Sequence, residues 1–535
     1  MTTNYNILND CRGMYEEEIF ETVLGSRGIV EPDRFLNPSE NDLLPLDSLK
    51  NIDKAFSELD TALSNSGMIG VFFDTDCDGI TSGTIMTRYL WNFTKKENVK
   101  TFINEGKRHG LKSQDLEKFD GLDLLIVVDS LDSDIKQYKR LTEKGIHVVV
   151  LDHHAVKNDV PYEKYVALVS SQLGYENKAL SGAGVVWKFC KYVDEQYITD
   201  HADSLIDLAA CGIIADMMDM TVMENRYIVT KGLETIYNPA IKKIVGSFEF
   251  NSTAVSFSIA PLINAANRMG QNESAMNAFL ADDNKEVLKY VKELKKCKEQ
   301  QNEEVKLRLP DLMKQCESQV DRKMIVSLID TPYGISGLIA NKLLEKYQRP
   351  ILVLKDCDGS FAGSMRAIGV DDFRKICNES GLAKADGHEL ASGIEIEKVN
   401  YNKFIDYIET NLPELKTDFS VDVDIRINID DLTRQLVDRI KTIDRVSGEG
   451  FKPVKVFING IDEYEIGQMS DYKHLVVKPN GYTNIIKWNF TGSFDDMEES
   501  SMMNDELEIV CNLDSGFFGR NFVLKAVCDE IRVVS

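Results

Sequence analysis

Short apolar runs that stop abruptly in acidic residues recur through the first half of the chain. Val71-Phe72-Phe73 runs into Asp74-Thr75-Asp76-Cys77-Asp78-Gly79, Leu124 to Val128 into Asp129-Ser130, and Val148 to Leu151 into Asp152-His153-His154. Continuous apolar runs of this length predict strands buried on both faces, as in a parallel sheet. Such runs, with Lys100 to Ile103 and Tyr165 to Val169, alternate with helical patterns from about 68 to 220. That alternation predicts an α/β domain with a mainly parallel sheet. Ile213-Ile214-Ala215 leading into Asp216 reads as one more apolar run with an acidic end.

Residues 1–67 carry helical patterning and are expected to pack on this domain, taken as 68–282. A charged helical pattern from Asp283 to Leu309 places Val287, Val291 and Leu294 on one face. It predicts a connecting helix within 283–320, interrupted at Pro310. A second, smaller α/β unit is expected over 321–414. From 415 to 535 the pattern is mostly strand-like and suggests a small β-barrel, with Asp495 to Glu506 as an acidic mobile loop.

At 535 residues the chain is too long for one core. No stretch approaches the roughly 20 apolar residues of a membrane span, and no secretory signal is expected from the first residues. The ten cysteines form no C-x-x-C pair, which suits reduced thiols in a cytoplasmic protein. The net charge of −25 argues against a general basic footprint for nucleic acid. Local basic stretches remain at Lys107-Arg108, at Lys292 to Lys298 and at Lys452 with Lys455. Modest affinity and strong salt dependence are therefore expected for any DNA complex.

Carboxylates stacked at strand ends repel one another, and a bound divalent cation, or a pair of them, removes that cost. Carboxylates with imidazoles suit Mn, Mg or Zn, and no thiolate cluster is needed. A calcium loop counted from Asp74 would need an acidic residue at its twelfth position, which is Ile85. Cys77 reads as a small buried residue. Asp76, Asp78, Asp129, His153 and Asp216 are the first choices as metal ligands. Asp74 is a ligand or lies just behind one.

The ordered set Asp-x-Asp-x-Asp-Gly, lone Asp129, Asp152-His153-His154 and Gly212 to Asp216 resembles the four motifs of the DHH phosphoesterase superfamily. Within it the chain is most similar to the RecJ-type single-strand DNA exonucleases. Ser181-Gly182-Ala183-Gly184-Val185, Glu224-Asn225-Arg226 and Pro261 to Arg268 fall in the expected order. Gly363-Ser364-Met365-Arg366 and Gly387-His388 through Gly393 resemble the signature of the DHH-associated second domain. The resemblance implies a DHH-type parallel-sheet domain, a DHH-associated α/β domain and an OB-like barrel that binds nucleic acid. It implies a metal-dependent phosphodiester hydrolase using two Mn2+ ions, or Mg2+, that removes nucleotides from single-stranded DNA in the 5′ to 3′ direction.

By the same resemblance Asp129 would bridge the two ions. From the residues themselves, His154 is expected to touch the scissile phosphate or protonate the leaving oxygen, the alternative being a structural strand-end histidine, and Asp152 to ligate or to orient an imidazole. Asn264, Arg268, Ser364, Arg366, Gly387 and His388 are the candidate substrate contacts, the last two on a glycine-rich turn into a helix. His109, in the polar loop after Asn104, is a further candidate. Trp488, Phe490, Phe517 and Phe518 either stack on bases or fill the barrel core. The chain departs from the family pattern at Asp386 before Gly387, at Ser170-Ser171 and at Leu131. Competing readings are a phosphodiesterase on short oligonucleotides or dinucleotides, and an inactive DHH scaffold in a replication assembly. Expected partners are single-stranded DNA and a single-strand-binding protein or helicase, in recombination, repair or replication. The expected location is cytoplasmic, in the host if the gene is viral.

Overall fold

The computed structural model describes residues 4–104, 110–112, 114–157, 159–416, 420–470, 473–518 and 521–534. Five parallel strands form the first sheet, in the spatial order Val99–Ile103, Ile69–Phe73, Leu124–Val128, His147–Asp152, Ala167–Ser170. Alternation divides each apolar run between two cores. Ile69, Val71, Phe73, Leu124, Ile126 and Val128 face one, while Phe72, Leu125 and Val127 face the other. Each run is apolar throughout because both faces of the sheet are covered. Chain order reverses between Ile69–Phe73 and Leu124–Val128, so a crevice opens at their carboxyl ends.

A single 34-residue helix, Asn284–Glu317, leaves this unit and continues through Pro310. The expected interruption is absent; one proline removes one helical hydrogen bond, and contacts along the helix hold it together. Val287, Val291, Leu294 and Cys297 join the core of the first unit, whereas Val305, Leu312 and Cys316 join the core of the next. That second unit is a five-stranded mixed sheet in the order Ala383–Gly387, Ala391–Glu397, Ser360–Arg366, Ile351–Cys357, Ile325–Leu328. Gly387 and His388 lie in a hairpin between two strands, not in a turn entering a helix.

The last unit is the OB-like one, a mostly antiparallel seven-stranded sheet running from Ile425–Asn428 to Glu465–Met469 at its two edges. Its core is continuous with that of the first unit. The N-terminal segment is not wholly helical. Its strand Asn4–Ile7 pairs in parallel with Ser420–Val423 of the last unit. The acidic stretch expected as a loop forms the helix Phe494–Met503, because Ser493 caps it and Met497 is buried. All ten cysteines are unpaired and nine are buried. Among the described residues no helix is long and apolar enough to cross a membrane.

Candidate active site

The crevice between Ile69–Phe73 and Leu124–Val128 collects the acidic motifs. Asp74 leaves the first strand, buried, and accepts the amide of Asn104 at 3.2 Å. The strand stops at Phe73, so Asp76 and Asp78 do not alternate along it as the spacing suggested. Asp76 caps the helix Cys77–Leu90, and Asp78 sits in that helix's first turn. Asp78 accepts the backbone N–H groups of Gly182 at 2.7 Å and Ala183 at 3.0 Å. Those amides open the helix Gly182–Tyr197, whose positive end supports the carboxylate. Asp216 follows the helix Ile206–Ala215, not a strand. A Cβ at Gly212 would lie 2.3 Å from Asp78 Oδ1, so glycine is what lets this helix approach.

Asp129 has the left-handed backbone φ of +50°, rare for a non-glycine residue and a mark of functional sites. His153 Nε2 lies 3.2 Å from Asp129 Oδ1, 3.5 Å from Asp216 Oδ2 and 3.7 Å from Asp78 Oδ2. Two donor sets share that imidazole: Asp129, His153 and His154, and Asp78, His153 and Asp216. Among the described residues Asp129 Oδ1 is buried with no well-formed hydrogen bond, His153 Nε2 being its near neighbour. Burial, then the charges of Asp78, Asp76, Asp152 and Asp74, push the Asp129 carboxyl well above the usual carboxylate range. A divalent cation would satisfy this orphaned oxygen and the surrounding charge together, so the residues present fit the metal. Cys77 is no competing ligand. Burial, followed by the charges of Asp76, Asp78 and Asp216, holds its thiol protonated.

Asp152 is fully buried and accepts the Leu131 N–H at 2.7 Å and the His154 N–H at 2.6 Å. Its Oδ1 also meets His154 Nδ1 at 2.9 Å. Burial pushes Asp152 up, yet the charge and hydrogen bond of His154 hold it below the carboxylate range. The Asp152 charge raises His154 to about 9. His154 is 40% exposed and His153 only 12%. His153 is thus the more enclosed of the two imidazoles, and His154 is the one open to the crevice.

Residues 68–213 match the DHH family, N-terminal domain. A protein of the SPbeta prophage in Bacillus subtilis strain 168, named YorK and described as a single-strand DNA-specific exonuclease, is 30% identical over 465 residues. The match covers 80% of this chain and 78% of that protein. The chain belongs to the RecJ branch of the DHH family. The single-stranded-DNA-specific exonuclease RecJ of Bacillus subtilis is 27% identical, over 68% of this chain and 48% of its own. RecJ of Thermus thermophilus, solved in complex with Mn2+, superposes with a TM-score of 0.80 at 22% identity. That superposition covers all of this chain and 80% of the other. An exonuclease RecJ bound to manganese matches with a TM-score of 0.59 at 27% identity, over 70% of this chain and 97% of that one.

The remaining family motifs divide into those at the crevice and those that brace the fold. Asn264 and Arg268 lie on the helix Ala260–Arg268, and Arg268 Nη1 reaches Gln301 of the connecting helix at 3.4 Å. Across the cleft Arg366 is held by Asn341 at 2.7 Å, and Ser364 Oγ lies 2.9 Å from Ser336 Oγ. His388 is exposed at the hairpin tip beyond Gly387. Glu224 and Arg226 serve the fold instead. Glu224 takes buried bonds from Lys188, Tyr175 and Asn177, and Arg226 donates to Phe35 and Val446 carbonyls. Trp488 is 44% exposed, while Phe490 packs edge-on against Phe494. The side chains of Phe517 and Phe518, and His109 with Lys107-Arg108, lie outside the described residues.

Sequence reasoning passed over the Gly182 and Ala183 amides, Ser336 and Gln301. The first pair had a signal, since Ser181 before an apolar helical pattern reads as an N-cap. Ser336 and Gln301 had none, because only the docking of two units brings them to the cleft.

Proposed function

We propose that the chain is a metal-dependent exonuclease that removes nucleotides from the 5′ end of single-stranded DNA. The observation that carries this reading is His153, shared by two donor sets beside the orphaned Asp129 oxygen at the sheet's reversal point. Asp74, Asp76, Asp78, Asp129, His153 and Asp216 would hold two Mn2+ ions, with Mg2+ as an alternative. What such ions supply is Lewis acidity at the phosphate and a water acidic enough to attack at neutral pH. The protein's own groups do the rest. The Gly182 and Ala183 amides fix Asp78, and Asp152 fixes the ring of His154. His154, protonated by its pairing with Asp152, holds a proton at the crevice for the leaving oxygen. Arg268, Ser364 and Arg366 grip a substrate phosphate from the two sides of the cleft, with Asn264, Gly387 and His388 along its walls.

The similarity to proteins named for single-strand DNA exonuclease activity supports the substrate class. A place in recombination, repair or replication, beside a single-strand-binding protein or helicase and in the cytoplasm, belongs to the same reading. Purified protein with Mn2+, given a labelled single strand blocked at one end, tests it. Mononucleotides should appear from the strand with a free 5′ end. Release only from a free 3′ end would overturn the polarity, and no release with either metal would overturn the activity.

A further inference from the structure

The connecting helix passes from one core to the other at Gln301, a buried polar residue between apolar Cys297 and Val305. Arg268 of the catalytic unit bonds to it there. Lys298 stands one helical turn earlier on the same face. In the basic stretch Lys292, Lys295, Lys296 and Lys298, only Lys298 is partly buried; the other three are exposed. Arg268 is tied to the second unit as well, since its carbonyl accepts the Gly334 N–H at 3.0 Å. Two residues on, the helix Ser336–Tyr347 begins with no side-chain cap. A Cβ at Gly337 would lie 2.9 Å from Arg366 Nη2 and 3.4 Å from Ser364 Oγ, so glycine lets the guanidinium lie against that helix's first turn.

We infer that Lys298 is a third cation of this phosphate site, and that one bound phosphate draws Arg268, Lys298 and Arg366 together and so latches the two units shut. The inference rests on the exonuclease reading and deepens it. Each cation comes from a different body: the catalytic unit, the connecting helix and the second unit. Among the described residues none has a carboxylate partner, in a chain whose net charge is −25. Burial, and then the neighbouring cation, lowers both Arg268 and Lys298; burial lowers Arg366. Like charges this sheltered repel, and an anion turns the repulsion into attraction. The second unit has its own cores and reaches the catalytic unit largely through the connecting helix, so a small charge change at the cleft can set their separation. Lys298 acts as a positioning residue: it holds the strand through the phosphate and is not a source of transition-state stabilisation.

The test uses the full chain in chelator, with inorganic phosphate as the probe, so that the metal centre contributes nothing. Phosphate should raise the melting temperature of the wild-type protein and shrink its radius of gyration in solution X-ray scattering. Lys298→Gln should lose most of both effects and Lys298→Arg should keep them. Lys295→Gln, which removes the same charge from an exposed neighbour, should match wild type. On a labelled single strand with Mn2+, Lys298→Gln should raise KM about tenfold, the size of one charge-assisted contact, while kcat stays put. The slope of log affinity against log salt should fall by about 0.7. Lys298→Gln with wild-type phosphate response and salt slope would overturn the inference alone, leaving the exonuclease reading intact. A phosphate response that follows Lys298 in a protein with no nuclease activity would support the site and sink that reading instead.

Discussion

His154 Nδ1 and Asp152 Oδ1 lie 2.9 Å apart, and the same oxygen accepts the His154 backbone N–H. The other oxygen of Asp152 is committed to the Leu131 amide. Both oxygens thus accept protein donors, and the expectation is that Asp152 orients His154 rather than ligating an ion. Asp152→Asn should therefore lower kcat about 10- to 100-fold with metal content unchanged, the usual size of such an outer contact. Mass spectrometry of the metal alongside kcat checks this, and loss of metal in the variant would make Asp152 a ligand after all.

Asp129 is strained, buried and pressed by four carboxylates. Without metal it should cost the protein stability. Asp129→Asn is expected to abolish hydrolysis and lower metal occupancy, yet to raise stability in chelator by about 1 kcal/mol or more. Thermal melts with and without chelator decide it. A variant less stable than wild type in chelator would show that Asp129 has a structural partner.

Arg366 should separate grip from chemistry. It touches Asn341 and its own strand, far along the chain from every proposed ligand. Arg366→Ala should raise KM about 10- to 100-fold, the range of a lost charged hydrogen bond, with metal content unchanged. Metal loss from a folded Arg366→Ala protein would contradict its placement.

Lys188 and Glu224 form a fully buried ion pair that the active site does not use. Glu224→Ala leaves the Lys188 ammonium without its carboxylate and should destabilise the protein by about 3–5 kcal/mol. Adding Lys188→Met should recover much of that loss. Denaturant melts of the single and double variants measure it; an additive double variant would mean that the pair is not coupled.

Asp444, at the end of a helix in the last unit, is raised by burial to about 7. Its carboxyl holds a proton in the folded state at pH values where the unfolded chain has lost it. The stability it contributes is complete below about pH 4, the unfolded value, and disappears as pH rises through about 7. Asp444→Asn should accordingly flatten the fall in melting temperature between about pH 4 and 7. An unchanged pH profile in the variant would show that another group sets it.

The sequence by itself determined which segments are buried strands and which residues end them. A run such as Leu124 to Val128 must be covered on both faces, and Asp129 must follow it into a crevice. The order of the acidic motifs and Asp152-His153-His154 placed the chain in its family and pointed to the crevice where Asp78, Asp129, His153 and Asp216 meet. Hydrophobic periodicity reports local burial, and a local signal suffices for these features. It could not show that Asp76 and Asp78 begin a helix, because Asp-x-Asp-x-Asp fits a strand as well as an N-cap and first turn. Nor could it show that Asp216 ends a helix, since a short apolar run reads alike in both structures. Only the tertiary structure decided that the Gly182 amide meets Asp78, 104 residues away in sequence. The same holds for Lys298. In sequence it is one of several lysines on a charged helix. Helical phase places it one turn from Gln301, which Arg268 reaches from the first unit, and such a meeting of separate elements leaves no periodic trace in either segment.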